Sequence, residues 1–323
     1  MTYRPVHADP PADLVSRLTL VPFLPTGRVV APATGASLPT GDVAPGEHWL
    51  LDSALLIPLR THGFRIQRVH SVAVSESEGG LHLYAFAEGA PYRGSRPHAK
   101  VELAEMEAEE LAAALSGEQA RAVLDAAEAY RTQSEESYHA DNARHLEAAY
   151  LRETTPWGQS GKGGTQEDWR AGRAHLAEAI DRDGAFLDVG CANGYLAECI
   201  RDWAAERGHA VEPYGVDIAP GLIELARRRL PHWADRFWVG NALTFVPPRR
   251  FTFVHVLLDC APRDHRADLV RHALTSMVEA GGRLLVSEYG TLPGESAAER
   301  LHAMGLRVDG VTSGGTAWIT DSA

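Results

Sequence analysis

Residues 186–194 read Phe186-Leu187-Asp188-Val189-Gly190-Cys191-Ala192-Asn193-Gly194, an apolar run that leads through an acidic residue into a glycine turn. The apolar side chains suit a buried strand, and the two glycines allow a tight backbone turn into a helix that begins near Tyr195. The N-terminus of that helix faces whatever the turn holds. A second apolar run, 214–218, offers the carboxylate of Asp217, which can accept both hydroxyls of a ribose. Together the two strand ends predict a nucleoside site on a parallel α/β sheet.

The spacing of the glycines separates two kinds of nucleoside site. A dinucleotide turn needs glycine at its first, third and sixth positions, so that bare backbone can approach a pyrophosphate. Those positions here are Gly190, Ala192 and Tyr195, so two of the three fail. The residues fit an acidic-x-Gly-x-x-x-Gly pattern instead, which resembles the first motif of class I S-adenosylmethionine-dependent methyltransferases. Ala192 stands where that family usually has a third small residue.

The resemblance covers about residues 155–323 and implies S-adenosyl-L-methionine as the cofactor. It carries cofactor contacts to the ends of the first four strands: Asp188, Gly190, Cys191, Ala192, Asn193, Gly194, Asp217, Ile218, Asn241, Ala242 and Leu258. In this family the residue that ends the third strand borders the adenine. No pair of carboxylates has obvious metal spacing, so we expect no metal.

The remaining second half predicts an α/β fold with a doubly wound Rossmann-like sheet. Strands are expected at 237–242, 251–258 and 283–289, with helices at 165–180, 220–230, 264–280 and 296–304. Two further runs, 306–311 and 316–320, are joined by Ser313-Gly314-Gly315 and predict a terminal antiparallel hairpin. Class I methyltransferases finish in this way, with a last antiparallel strand inserted into an otherwise parallel sheet.

Three side chains near the strand ends are candidates for catalysis. Transfer of a methyl group needs alignment, a dry pocket and a base where the acceptor carries a proton. Residues at the carboxyl ends of strands are placed for this, which nominates Asp259 first, then Tyr289 and His265. A helix-capping or solvated role for Asp259 is the alternative. His255 lies within an apolar strand and is expected to be a hydrogen-bonded core histidine.

A glycine-rich segment, 154–164, precedes the first strand of this half. Four glycines around one tryptophan suit a lid that closes over a bound cofactor. In that case Trp157, Gln159 and Ser160 line the methyl-transfer pocket. The alternative is a solvated interdomain loop with Trp157 packed against the core.

The first half predicts a separate mixed α+β domain that resembles a Nudix hydrolase. Gly41 and Glu47 match the glycine, five residues and glutamate of the Nudix box. A helix is expected over 49–59 and another over 102–115. The clustered carboxylates that hold magnesium in that family are missing from 55–61. We therefore expect a degenerate, non-hydrolytic Nudix-like domain that serves substrate recognition or dimer contacts, or else a structural domain without a ligand.

Length and charge complete the sequence-based account. The 323 residues predict a Nudix-like domain at 1–116, a helical connector at 117–153 and a methyltransferase domain at 154–323. A net charge of −12 disfavours nucleic acid as a partner. No apolar run reaches the length of a membrane span, and no signal segment is evident, so a cytoplasmic protein is expected. Its three cysteines lack metal-ligand spacing. A homodimer is left open.

The predicted function is methyl transfer to a small-molecule or natural-product acceptor. Methyltransferases that act on exocyclic base amines or glutamine amides carry Asn or Asp, two prolines and an aromatic residue after the fourth strand. Residues 258–262 lack that sequence. Two alternatives remain, namely a bifunctional Nudix hydrolase and methyltransferase, and a non-catalytic S-adenosylmethionine-binding protein.

Overall fold

The computed structural model divides the chain into two compact units, 1–145 and 146–323, with the boundary inside a helix. It describes residues 3–6, 9–45, 47, 50, 54, 56–91, 101–161, 163–288 and 296–321. We describe each unit by itself.

Unit 1 is built on a mixed seven-stranded sheet. Its strands are β1 (Arg4–Pro5), β2 (Val15–Phe23), β3 (Val29–Pro32), β4 (Thr40–Asp42), β5 (Phe64–Ser77), β6 (Gly80–Pro91) and β7 (Leu103–Met106). The order is β1-β5-β6-β2-β3-β7, and β4 pairs with β2. Strands β2 and β6 run parallel, whereas the other pairs are antiparallel. The expected mixed α+β character is confirmed.

Both faces of this sheet are buried. The helices are α1 (Leu56–His62), α2 (Ala108–Ala113) and α3 (Gly117–Thr132). Phe23, Phe86 and Leu111 belong to the core on one face, and Leu18 and Phe64 belong to the core on the other. Burying each such side chain stabilises the fold by about 1.5–3 kcal/mol.

Two expectations for this half change in detail. The helix predicted over 102–115 was wrong in its first part, because residues 103–106 form β7 and pair with β3. Alanine and glutamate favour a helix, but pairing to a sheet edge overrides that weak local preference. The helix expected over 49–59 overlaps α1, and residues 49, 51–53 and 55 lie outside the described residues.

The expected connector, 117–153, consists of two helices, α3 and α4 (Glu135–Leu151). Helix α3 buries Ala122, Val123 and Ala126 in the core of unit 1. It is therefore part of that unit. The unit boundary falls within α4, between His145 and Leu146.

Unit 2 contains a second seven-stranded sheet. Its strands are β8 (Gly184–Val189), β9 (Val211–Asp217), β10 (Phe237–Val239), β11 (Phe251–Leu257), β12 (Val278–Ser287), β13 (Gly310–Val311) and β14 (Ala317–Thr320). The order is β10-β9-β8-β11-β12-β14-β13. Strand β14 runs antiparallel to both of its neighbours, while the pairs from β10 to β12 are parallel. The inserted antiparallel strand and the terminal hairpin are confirmed.

Helices cover both faces of this sheet. They are α5 (Gln166–Arg173), α6 (Tyr195–Glu206), α7 (Pro220–Arg229), α8 (Arg266–Ser276) and α9 (Ala297–Ala303). Along β8, Leu187 and Val189 enter the core on one face and Phe186 enters the core on the other. The helix expected over 165–180 ends at Arg173 and continues as a 3-10 turn, Ala174–Ala179. This two-sided burial explains the nearly continuous apolar strands.

Within the described part of the chain, no helix is long and apolar enough to cross a membrane. The same residues include no group of three or more histidine, cysteine or acidic side chains that could hold a metal ion. All three cysteines are free thiols.

Candidate cofactor site

The glycine turn after β8 places three residues in the left-handed region. The φ angles are 81° at Gly190, 47° at Ala192 and 74° at Gly194. Among the described residues, Ala192 is the only non-glycine with a positive φ. A left-handed alanine costs about 1–2 kcal/mol, so the surrounding contacts must hold the turn in this shape. One such contact is the N–H of Gly190, which donates to the carbonyl of Val216 at 2.8 Å.

Asp217, at the end of β9, is the second fixed point of the site. Its Oδ2 accepts the backbone N–H of Ala192 at 2.8 Å, and its Oδ1 accepts that of Ala219 at 2.9 Å. Burial raises the pKa of this carboxyl to about 6, against the lowering effect of both N–H groups. Each oxygen keeps a second lone pair, so the carboxylate can still accept hydroxyl donors.

Asp188, at the end of β8, faces a histidine on the adjacent strand. The Nδ1 of His255 lies 2.8 Å from Asp188 Oδ1, and its Nε2 lies 3.1 Å from Ser287 Oγ. His255 is fully buried, which confirms it as a hydrogen-bonded core histidine. The Oδ2 of Asp188 has no partner among the described residues, which leaves it free to accept from a ligand.

Asn193 joins the glycine turn to the segment 155–161. Its buried amide nitrogen donates to the carbonyl of Pro156 at 2.9 Å, and its Oδ1 accepts from Ser160 Oγ at 2.5 Å. Gln159 Oε1 lies 3.4 Å from the same amide nitrogen. Two of the expected lid residues are therefore bonded directly to the turn.

Trp157, the third residue expected in the lid, lies against the helix that follows the turn. Its indole N–H donates to the carbonyl of Gly164 at 2.9 Å, and its ring centroid is 6.4 Å from that of Tyr195. Gly161 has a φ of 80°, and a Cβ there would lie 2.3 Å from the Tyr150 hydroxyl. Residues 155–161 are thus folded onto their own unit.

The remaining expected cofactor contacts line the neighbouring strand ends. Asn241 follows β10, where its Oδ1 accepts the N–H of Leu243 at 2.9 Å. Ala242 packs against the core of unit 2, and Ile218 is half-buried beside Asp217. Leu258 is fully buried where β11 ends.

Two cysteines pack around the backbone of the turn. A Cβ on Gly190 would lie 2.6 Å from Cys260 Sγ, and a Cβ on Gly215 would lie 2.6 Å from Cys191 Sγ. Burial raises the pKa of both thiols well above its usual value. Neutral thiols of this kind act as small apolar side chains, so Cys191 contributes packing around the turn.

Asp259 lies in the 3-10 turn Leu258–Cys260 that follows β11. Asp259 is exposed to solvent. Desolvation by the surrounding protein nevertheless raises the pKa of its carboxyl, and the charge of Arg266 opposes this rise. Among the described residues, no other side chain bonds to it. An accessible carboxylate without a partner can accept a proton or a donor from a ligand.

The other two catalytic candidates differ in what the structure places around them. His265 precedes α8, its side chain is 46% exposed, and its Nδ1 lies 3.5 Å from Asp268 Oδ2. No hydrogen bond joins it to Asp259 within the described part of unit 2. Tyr289 lies outside the described residues.

Sequence reasoning missed two contacts at the site. Glu147 of α4 accepts the N–H of Gly221 at 2.7 Å, so a carboxylate of this chain caps the N-terminus of α7 beside Asp217. Arg229 donates to the carbonyl of Asn193 at 2.8 Å and to Glu198 Oε2 at 2.8 Å. No local signal announces either contact, because the partners are far apart in the chain.

No family model matches this chain, and no curated protein matches it. Solved structures do match part of it. The N-methyltransferase NodS of Bradyrhizobium japonicum, in complex with S-adenosyl-L-homocysteine, is 18% identical over 45% of this chain and 71% of its own, with a TM-score of 0.35. A putative S-adenosylmethionine-dependent methyltransferase of Methanococcus maripaludis is 12% identical over 56% of this chain and 91% of its own, with a TM-score of 0.38.

A third matched structure is the [4+2]-cyclase SpnF, 18% identical over 46% of this chain and 62% of its own, with a TM-score of 0.34. The chain spans between 52% and 59% of the length of the first three structures matched. All the identities are below 25% and all the TM-scores are below 0.5. The functional argument therefore rests on the sheet order and side chains of this chain.

Proposed function

We propose that unit 2 binds S-adenosyl-L-methionine and transfers its methyl group to a small-molecule or natural-product acceptor. The observation that carries this proposal is that the strand order of unit 2 and the glycine turn after β8 occur together. The sheet inserts an antiparallel β14 between β12 and β13, and the turn at 190–194 is bonded to Asp217 on the adjacent strand. A dinucleotide site is disfavoured by Ala192 and Tyr195, since a pyrophosphate needs bare backbone at those positions.

The residues at the strand ends fit this cofactor by their donor and acceptor chemistry. Asp217 is a buried carboxylate with spare acceptor capacity, as two ribose hydroxyls require. Asn241 and Ala242 would border the adenine, and the backbone of 190–194 would lie along the amino acid portion. The absence of a pyrophosphate explains why the turn can carry a Cβ at Ala192.

When bound, the cofactor supplies a methyl group that is activated on a sulfonium. The chain would hold the acceptor in line, exclude water and receive a proton from an acceptor that carries one. We assign this role to Asp259, because its side chain is exposed at the end of β11 and desolvation raises the pKa of its carboxyl above the usual value. Residues 155–161 would exclude water, since Asn193 ties them to the turn.

The proposed acceptor class and the proposed role of unit 1 rest on the residues after β11, the net charge and the residues at 55–61. The residues after β11 lack the asparagine or aspartate, double proline and aromatic set used on planar amides, and the net charge of −12 disfavours a nucleic acid. For unit 1 we propose a degenerate Nudix-like domain that contributes substrate recognition or dimer contacts. The absence of clustered carboxylates at 55–61 supports a non-hydrolytic role.

The test is methyl transfer from labelled S-adenosylmethionine to a panel of amines, phenols, thiols and carboxylic acids. We expect label in at least one acceptor class, and S-adenosylhomocysteine in equal amount. Binding of the cofactor without transfer to any acceptor would instead identify a cofactor-binding protein.

A further inference from the structure

A row of four buried polar side chains crosses the sheet of unit 2 near its carboxyl edge. The row consists of Asp188, His255, Ser287 and Thr316, and we call it the polar row. Successive distances are 2.8 Å, 3.1 Å and 2.6 Å. No member is more than 2% exposed. The row therefore links β8, β11 and β12 to the residue that precedes β14.

The polar row lies on a sheet face that is otherwise apolar. Two positions earlier on the same three strands, the same sheet face carries apolar side chains, namely Phe186, Phe253 and Leu285. Apolar side chains at the row positions would continue that core, and replacing buried charged and polar groups by well-packed apolar ones is often neutral or stabilising. The polar row therefore indicates that polar side chains must be held in fixed positions at this edge of the sheet.

The order of hydrogen bonds fixes the orientation of the imidazole. A carboxylate only accepts, so the Nδ1–H of His255 donates to Asp188, and Nε2 of the ring pairs with the Ser287 hydroxyl. The Ser287 hydroxyl also pairs with the Thr316 hydroxyl. Both ring nitrogens are thereby occupied, and the imidazole cannot turn without losing a buried hydrogen bond.

An acid, a histidine and a serine in this order also form the triad of many hydrolases. A nucleophilic serine must reach its substrate. Ser287 is 1% exposed, and its hydroxyl is already bonded on both sides, to His255 and Thr316. The polar row is therefore not a hydrolytic site.

We propose that His255 is a positioning residue of the cofactor site, which holds Asp188 so that its Oδ2 faces the ligand. Asp188 stands two residues before Gly190, and its Oδ2 has no partner in the described part of the chain. The ring holds Oδ1, so Oδ2 is the oxygen left to accept from a ligand. Histidine and carboxylate pairs orient ligating groups in metal sites by the same principle. The inference rests on the proposed function.

The test compares variants of the full-length chain by calorimetric titration with S-adenosylhomocysteine and by thermal unfolding. His255→Asn keeps an N–H near the Nδ1 position, whereas His255→Leu removes it and leaves Asp188 buried beside an apolar group. We expect about a tenfold loss of affinity for His255→Leu and a loss within about threefold for His255→Asn. Ser287→Ala frees the ring without removing it and should fall between them.

The control is Thr252→Val, at the other end of β11, where Thr252 Oγ1 accepts the N–H of Ala185 at 3.3 Å. It should lower the unfolding temperature and leave affinity unchanged. Equal affinity in His255→Leu and the wild type would overturn the inference, as would equal losses for His255→Leu and His255→Asn. If His255→Leu does not fold, the affinities of the other three proteins test the inference, and affinity should fall in the order wild type, His255→Asn, Ser287→Ala. A wild-type protein that binds no S-adenosylhomocysteine would refute the proposed function instead.

Discussion

Ala192 donates its backbone N–H to Asp217 Oδ2 at 2.8 Å, although 25 residues separate the two. The same carboxylate accepts the N–H of Ala219 through its other oxygen. Asp217 therefore holds the glycine turn and the start of α7 before any ligand is present. A ligand that adds hydroxyl donors to Asp217 meets a preformed acceptor, which lowers the cost of binding.

Asp217→Asn should weaken binding of S-adenosylhomocysteine by about tenfold to hundredfold, because it removes charge-assisted hydrogen bonds to the turn and to the ligand. The matched control is Asp183→Asn. Asp183 accepts the N–H of Ala210 at 2.7 Å beside the amino ends of β8 and β9, away from the turn. Calorimetry should show a loss in the first variant alone, and equal affinities in both would be inconsistent with the site.

The affinity for S-adenosylhomocysteine should fall as the pH drops below about 6. Burial raises the pKa of Asp217 to about 6, and only the carboxylate accepts two hydroxyl donors. Binding therefore releases a proton in this range, with a limiting slope of about tenfold per pH unit. Titrations between about pH 5 and pH 7, about one unit either side of that pKa, check this. The profile of Asp217→Asn should lack this slope.

The same raised pKa affects the stability of the free protein. The folded state binds this proton more tightly than the unfolded state, whose carboxyl has a pKa near 3.9. The contribution of Asp217 to the free energy of unfolding therefore falls as pH rises from about 4 to 6. Denaturant unfolding of wild type and Asp217→Asn across this window should differ in slope, and identical slopes would contradict the assignment.

Ala192→Gly and Ala192→Val should separate backbone strain from side-chain packing. Glycine accepts a φ of 47° freely, but it also gains freedom in the unfolded chain, so the net change should stay within about 1 kcal/mol. Valine is β-branched and should destabilise by about 2 kcal/mol or more. Chemical denaturation measures both. A stable valine variant would show that the turn does not require this conformation.

Ser160→Ala should speed the dissociation of bound S-adenosylhomocysteine, because Ser160 Oγ donates to Asn193 at 2.5 Å and ties the segment 155–161 to the turn. Loss of one such hydrogen bond corresponds to about threefold to tenfold in rate. Ser313→Ala is the control, since Ser313 Oγ donates to Glu178 at 2.6 Å in the terminal hairpin. Stopped-flow displacement distinguishes the two. Equal rates would favour a purely structural segment.

The sequence predicted those features that local chemistry encodes. Apolar runs and glycine turns predicted the parallel strands of unit 2, and Asp217 at the end of the second of these strands indicated a ribose acceptor. The resemblance supplied the inserted antiparallel strand, which composition alone does not specify. The helix prediction was wrong at residues 103–106, which form a strand. A four-residue edge strand of mixed composition shows too little alternation of apolar and polar residues to outweigh helix propensity.

Contacts between distant residues could not be predicted in the same way. His255 was recognisable as a buried histidine, but its partner depended on the register that sets it beside Asp188. Glu147 caps a helix 74 residues away, and no local pattern marks it. The hydrogen bonds from Asn193 to the segment 155–161 likewise depend on the tertiary fold of unit 2.

The central claim is that the ends of β8 and β9 form an S-adenosylmethionine site, and calorimetric titration of the wild-type protein with S-adenosylhomocysteine at neutral pH tests it most directly. The account predicts saturable binding with one site per chain, and loss of that binding in Asp217→Ala. A folded wild-type protein that gives no binding heat, or an Asp217→Ala variant that binds as the wild type does, would contradict it.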